Sequence, residues 1–365
     1  MIKRGLEDRG FVTSKADPCV FMKNDMIILL YVDDMIVVSR KQNQIENLYN
    51  SLLQGDEKFK LTNEGKIDNY LGVELKDNPD GSFEASQPHL IKRIIDFAID
   101  DSTKTNSRQT PASLPLLHKD ENGSNRRNKW NYRAVTGMLN YLTGSTRPDI
   151  AMAVHQIARF SNNPKLSHEK SIMRICRYLI GTADKGMIFK PDKTKGLELY
   201  VDADFAGNWK NAGEEHPENC MSRTGYLIRY NGCNIIWKSQ LQTEITLSTA
   251  ESEYVALSQA LRPMIPVINL LEDFHKIFPE VSLQTQKVNV TVYEDNTSCI
   301  VMSQADKFTP RTKHITLKYH WFKEYAKNGL FNIEHVDTKL QLADIFTKPL
   351  DEVTFKRLRL LVCGY

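Results

Sequence analysis

Residues 224–238 constrain the fold of this chain more than any other stretch. The runs T-G-Y-L-I-R-Y and C-N-I-I-W-K flank Asn231-Gly232. That dipeptide between two β-prone runs is the strongest short-range signal of a two-residue hairpin turn, because both turn residues must adopt positive φ. Just upstream, L-E-L-Y-V-D-A-D at 197–204 alternates with period two, as a half-buried strand does. Downstream come a helix from about Ala250, a strand V-N-V-T-V-Y, a short helix, a basic helix, a strand L-F-N-I-E-H-V and a final helix. Hairpin strands followed by β–α alternation predict a mixed sheet with helices packed on it, an α/β (α+β) fold.

Four acidic residues in this region sit where strands end or helices begin: Asp202, Glu253, Asp295 and Asp344. They lie roughly forty to fifty residues apart, so no local motif produces the set. If they converge, they form an oxygen-only box for two divalent ions, which suits Mg²⁺ (with Mn²⁺ as a substitute) better than zinc. Such a site hydrolyses phosphodiesters. Taken singly, each acid has a plainer explanation. Asp202 fits a solvent-facing strand position, which Asp204 shares two residues on. Asp295 suits a helix N-cap, and Asp344 the favourable end of a helix dipole. Ser248-Thr249-Ala250-Glu251 matches a capping box, which gives Glu251 a structural task and leaves Glu253 for the metal.

The 365 residues suffice for two or three domains with ample core. A net charge of +3, from 48 basic and 45 acidic residues, neither demands nor excludes nucleic acid, so any basic footprint must be local. The six cysteines form no C-x-x-C pair, which fits a reduced intracellular protein without zinc. The longest apolar run, Met26–Val32, is too short to span a bilayer, and no signal-peptide pattern opens the chain, so a soluble protein is expected.

Three blocks separate by composition. Residues 1–85 read as strands around a helix, with M-I-I-L-L-Y-V and M-I-V-V-S joined by Asp33-Asp34 as a hairpin, and Y-L-G-V-E-L at 70–75 as one further strand. Residues 86–190 read as helical, interrupted by a polar surface loop from Asp100 to Asn131. Residues 191–365 hold the mixed sheet. Two groups of cations could meet phosphates. Lys170, Arg174 and Arg177 share one helix face, and Arg311, Lys313, Lys318, Lys323 and Lys327 interleave with aromatics. The plainer reading of both is a solvated face of an amphipathic helix. His314 and His320 suit packing or capping better than metal ligation.

These segments resemble the C-terminal part of a copia-type LTR-retrotransposon Pol polyprotein nearly end to end. Y-V-D-D at 31–34 resembles the reverse transcriptase active-site hairpin. Y-R-A-V-T-G-M-L-N-Y-L, T-R-P-D-I and R-Y-L-I-G-T resemble the region on the thumb side. S-R-T-G-Y, S-T-A-E-S-E-Y, R-T-K-H-I and Q-L-A-D-I-F-T-K-P-L resemble the ribonuclease H domain. The resemblance implies a truncated palm over 1–85, a helical thumb or connection over 86–190, and a ribonuclease H-like five-stranded mixed sheet over 191–365. It implies Asp202, Glu253, Asp295 and Asp344 as catalytic metal ligands, with E-Y-V-A favouring Glu253. It further implies hydrolysis of the RNA strand of an RNA–DNA hybrid, leaving 3′-hydroxyl and 5′-phosphate ends. Expected partners are that hybrid, the upstream reverse transcriptase segment and other Pol or Gag products, without a membrane. The expected setting is intracellular: a cytoplasmic virus-like particle, and the nucleus.

Two departures from the family pattern stand out. The thirty residues before Tyr31 contain nothing like the third metal-binding Asp of a polymerase, so Asp33 and Asp34 make an incomplete site. Mg²⁺ needs near-complete octahedral ligation, and no polymerase activity is expected from this chain alone. The loop before Asp344, D-T-K-L-Q, lacks the histidine that many ribonucleases H carry there, and His335 falls within the preceding strand. The rival reading is a non-enzymatic nucleic-acid-binding remnant. An integrase-like strand transferase would need its acids in the order Asp, Asp, Glu, which this chain lacks.

Overall fold

A computed structural model describes residues 2–54, 59–99, 107–207, 209, 217–278, 290–305 and 319–365. The chain divides into two units, 1–66 with 261–289, and 67–260 with 290–365.

In the first unit, helix α1 (Ile2–Glu7) leads into an antiparallel sheet of β1 (Val12–Thr13), β2 (Val20–Lys23), β3 (Met26–Tyr31) and β4 (Asp34–Ser39), paired in chain order. Helix α2 (Gln42–Gln54) closes a core of Leu6, Phe11, Phe21, Ile28, Leu48 and Leu52. Tyr31 pairs with Asp34 across a two-residue turn in which Val32 takes φ 54°. The hairpin tip therefore displays Asp33 and Asp34 to solvent.

In the second unit, β5 (Asn69–Tyr70), β6 (Val73–Asp77), β7 (Phe83–Ser86) and β8 (Met187–Phe189) form an antiparallel sheet. Here the reading of 70–75 as one strand is corrected. Leu71 and Gly72 both take positive φ (51° and 72°) and fold the segment into a tight hairpin between β5 and β6. Helices α3 (Pro88–Ala98), α4 (Tyr132–Ser145), α5 (Ala151–Ala158) and α6 (Leu166–Ile180) pack an aliphatic core that includes Ile91, Ile94, Leu139, Val154, Ile172 and Leu179. The described part of the polar stretch, 107–131, carries no helix or strand, as expected of a loop. It is nonetheless pinned. Buried Glu169 accepts from Arg126 Nε (3.2 Å), Asn128 N–H (3.1 Å) and Asn128 Nδ2 (3.0 Å). A buried ion pair, Arg147–Asp149 at 2.8 Å, is completed by hydroxyls from Tyr178 (2.5 Å) and Tyr365 (3.1 Å) on Asp149.

The same unit contains the five-stranded mixed sheet, ordered β11 (Cys233–Leu241), β10 (Arg223–Tyr230), β9 (Leu197–Asp204), β12 (Val290–Glu294), β13 (Asn332–His335). Strands β9 to β11 are antiparallel neighbours, while β9 with β12 and β12 with β13 run parallel. The turn joining β10 and β11 is Asn231-Gly232 with φ 50° and 75°, as the sequence predicts. Helix α7 (Thr249–Ile277) starts in this unit, and its residues from 261 belong to the other. Helices α8 (Thr297–Gln304), α9 (Lys323–Lys327), α10 (Asp344–Thr347) and α11 (Glu352–Cys363) complete it. The single final helix expected from the sequence is thus two, α10 and α11. Pro349 restricts Lys348 to extended backbone and cannot donate to a helical ladder, so the helix stops and restarts.

Candidate metal centre

Strand β9 is the middle of the sheet, and β12 lies parallel beside it, so both end at the same edge. Asp202 lies near the end of β9 and Asp295 directly follows β12. The first turns of α7 bring Glu253 to the same place. Carboxylate oxygens of Asp202, Glu253 and Asp295 all lie within 4.8 Å of one another. Asp344, the first residue of α10, stands outside that trio but close enough to Asp202 for its charge to raise the Asp202 carboxyl. Lys348, one helical turn after Asp344, places its ammonium 2.9 Å from the Asp344 carboxylate and 4.0 Å from that of Asp202.

Burial dominates the electrostatics. It pushes Asp202 up to about 6, with Lys348 opposing the shift and Asp344 adding to it. Asp204 also rises to about 6, from burial and then from the charge of Asp202. Glu253 is raised well above the usual carboxylate range by burial, then by repulsion from Asp202, Glu294 and Asp295. Asp295 and Asp344 shift upward for the same first cause, offset by the Thr338 hydroxyl and by Lys348 respectively. A group of buried carboxylates resists ionising together unless a cation arrives. The trio fits a hard divalent ion on two counts. Its donors are all oxygen, and Glu253 Oε2 is buried with no hydrogen-bond partner.

The two glutamates of the α7 start separate cleanly. The Ser248 hydroxyl accepts the Glu251 N–H at 3.2 Å, and the Glu251 carboxylate accepts the Leu247 N–H at 2.8 Å. The cap is thus present, with its return bond one residue earlier than a capping box would place it. Asp204 points along the face of Asp202 and sits opposite Arg223 on β10, outside the trio.

Three residues at this centre escaped the reading of the sequence. Thr347 donates its hydroxyl to Asp202, and Lys348 pairs with Asp344; the acid–base spacing of four residues was a visible signal for the second. Glu294 is fully buried and accepts the Asn296 N–H at 3.1 Å. Its signal was also present, since it shares the period-two face of buried Val290 and Val292.

Asp33 and Asp34 belong to the first unit. Lys170 is exposed on α6, whereas Arg174 donates to the Thr110 hydroxyl at 2.7 Å and Arg177 is half-buried. Lys323 donates to the Ala305 carbonyl at 2.9 Å. Arg311, Lys313 and Lys318 fall outside the described residues. His335 is the last residue of β13.

The chain is similar to known proteins at two levels. Residues 1–113 match the family model described as reverse transcriptase (RNA-dependent DNA polymerase). The whole chain aligns with retrotransposon proteins. It is 30% identical to the retrovirus-related Pol polyprotein from transposon TNT 1-94 of Nicotiana tabacum, over 98% of this chain and 26% of that one. It is 29% identical to the Pol polyprotein from transposon RE1 of Arabidopsis thaliana, over 95% of this chain and 22% of that one. The chain thus spans about a quarter of the length of these relatives. Among solved structures, LC11-RNase H1 isolated from compost covers 42% of this chain and 92% of its own at 18% identity, with a TM-score of 0.28, a likeness too loose to argue from. The chain belongs to the family of copia-type retrotransposon Pol polyproteins.

Proposed function

We propose that residues 191–365 form a ribonuclease H that cleaves the RNA strand of RNA–DNA hybrids, behind a reverse transcriptase-related palm piece (1–85) and a helical connecting region (86–190). The observation that carries this reading is the convergence of Asp202, Glu253 and Asp295, with a buried carboxylate oxygen of Glu253 left free to ligate. Asp202, Glu253, Asp295 and Asp344 would hold two Mg²⁺ ions. Bound there, the ions would activate a water and neutralise charge on the leaving oxygen.

The chain's own groups do the positioning. Thr347 orients the Asp202 carboxylate, and the β9–β12 pairing sets its distance to Asp295. The low exposure of Asp202 and Glu253 keeps competing water off the ligand oxygens. Recognition of the hybrid would rest on backbone shape and the 2′-hydroxyl, because an A-like duplex hides its base edges in a deep groove. Lys170, Arg174, Arg177, Arg311, Lys313, Lys318 and Lys323 are the proposed phosphate contacts, so hybrid affinity should fall steeply with salt.

In the palm piece, Asp33 and Asp34 supply two exposed carboxylates, too few ligands to hold Mg²⁺ for polymerisation, and these 365 residues are expected to cleave without polymerising. The test is hybrid cleavage in Mg²⁺ by the full chain and by Asp202→Asn. Cleavage confined to the unsubstituted chain supports the reading. Equal cleavage by both overturns the metal-centre reading, and cleavage by neither leaves a nucleic-acid-binding remnant.

A further inference from the structure

The four acids divide into two unlike subsites. Asp202, Glu253 and Asp295 gather within 4.8 Å, and among the described residues no lysine or arginine forms an ion pair with Glu253 or Asp295. The Asp202–Asp344 side differs, because it already holds a cation from the chain. The Lys348 ammonium lies 2.9 Å from Asp344 Oδ1 and 4.0 Å from Asp202 Oδ2. An ammonium offers three donors and no lone pair, so it can neutralise carboxylates but cannot share a ligand sphere with a metal. A divalent ion settling between Asp202 and Asp344 must therefore push Lys348 out. The lysine side chain is 38% exposed, which leaves it an exit, while Pro349 and the short helix α10 fix its backbone.

We propose that Lys348 is a tethered stand-in for the second divalent ion, confining metal to the Asp202–Glu253–Asp295 subsite until the ammonium is displaced. The inference rests on the two-ion nuclease reading above and adds a control to it. A displaced lysine needs a new anion, and a substrate phosphate arriving at the metal centre would supply one. Entry of the second ion is thereby coupled to substrate, which protects the centre from filling in its absence. The flexible four-carbon stem of lysine permits this swing.

Mn²⁺ serves as the probe, titrated into the full chain without nucleic acid and followed by electron paramagnetic resonance. The unsubstituted chain should bind one ion tightly and a second one weakly. In Lys348→Met the second dissociation constant should fall on the order of tenfold or more, because a like charge a few ångströms away has gone. Lys348→Arg, which keeps the charge, should behave as the unsubstituted chain does. In EDTA, Lys348→Met should melt lower, and Mn²⁺ should raise its melting temperature more than it raises that of the unsubstituted chain. Refolding of Lys348→Met or Lys348→Gln in Mn²⁺ but not in EDTA gives the same support, and failure in both media counts against the proposal. Unchanged stoichiometry and affinity in Lys348→Met, or two tight ions in the unsubstituted chain, overturn it while leaving the nuclease reading intact. Absence of any bound Mn²⁺ in the unsubstituted chain would instead sink that reading itself.

Discussion

The Thr347 hydroxyl donates a hydrogen bond to the Asp202 carboxylate across 145 residues of sequence. It thereby ties the end of α10 to the central strand and holds the charged form of an acid that burial otherwise pushes towards neutrality. Thr347→Val keeps the shape and removes the donor. It should cost about 1.5–3 kcal/mol in a denaturant titration, the range for a hydrogen bond to a charged group. It should also weaken Mg²⁺ binding, and Thr347→Ser should restore both.

The two glutamates at the start of α7 should separate by their opposite effects. Glu253→Gln removes a buried charge repelled by Asp202, Glu294 and Asp295, so the metal-free protein should become more stable while Mg²⁺ binding and hybrid cleavage are lost. Glu251→Ala removes the acceptor of the Leu247 N–H and should cost about 1 kcal/mol, the net worth of one hydrogen bond, with metal binding intact. Calorimetric metal titration of both variants decides the assignment, and a reversed pattern would move the ligand to Glu251.

Gly225 lies opposite Asp202 on β10, and α10 packs directly on its missing side chain. A Cβ there would come within 2.6 Å of Thr347 Cγ2, 2.8 Å of Phe346 Cβ and 3.0 Å of the Ala343 carbonyl. Gly225→Ala should destabilise by about 1–3 kcal/mol, as overpacking does. It should also lower metal affinity, because α10 carries Asp344 and Thr347 and ends next to Lys348. Ordinary metal affinity in a folded Gly225→Ala would show that α10 does not need to sit this close.

Metal stabilisation should depend on pH in a defined direction. Asp202 and Asp204 are each raised from 3.8 to about 6, so between those values the native state binds more protons than the unfolded one. Their contribution to stability therefore falls as pH rises from about 4 to about 6 and is flat above. Mg²⁺ competes with these protons, so its increment in melting temperature should be larger at pH 7.5 than at pH 5. Equal increments at both values would mean that the ion binds elsewhere.

Arg147 is fully buried in the second unit, bonded through two nitrogens to Asp149 and through Nη2 to the Thr182 hydroxyl. Arg147→Met would strand the Asp149 charge and should cost about 3–5 kcal/mol. Replacing both residues by apolar ones should recover part of that loss in a double-mutant cycle. Additive losses would show that the pair does not act as a unit.

Local patterns carried much of this architecture. The Asn231-Gly232 hairpin and the capping serine before α7 are set by turn chemistry and backbone satisfaction, which act over a few residues. Strand β9 is a strand as its period predicts, but its central place in the sheet buries both faces rather than the one expected. The same local logic failed at two places. Leu71-Gly72 turned a supposed strand into a hairpin, and Lys348-Pro349 split the last helix. In each, one residue's φ constraint outweighed the apolar pattern around it.

Sequence alone supplied the identity and order of Asp202, Glu253, Asp295 and Asp344, and the strand and helix ends that bear them. Only the tertiary structure decided which acids meet. The parallel pairing of β9 with β12 draws Asp202 and Asp295 together, whereas α10 sets Asp344 aside with Lys348. The burial of Glu294 and the reach of Thr347 to Asp202 belong to that same level. Carboxylate repulsion and desolvation depend on distances of a few ångströms between elements distant in the chain, and no local periodicity encodes those distances.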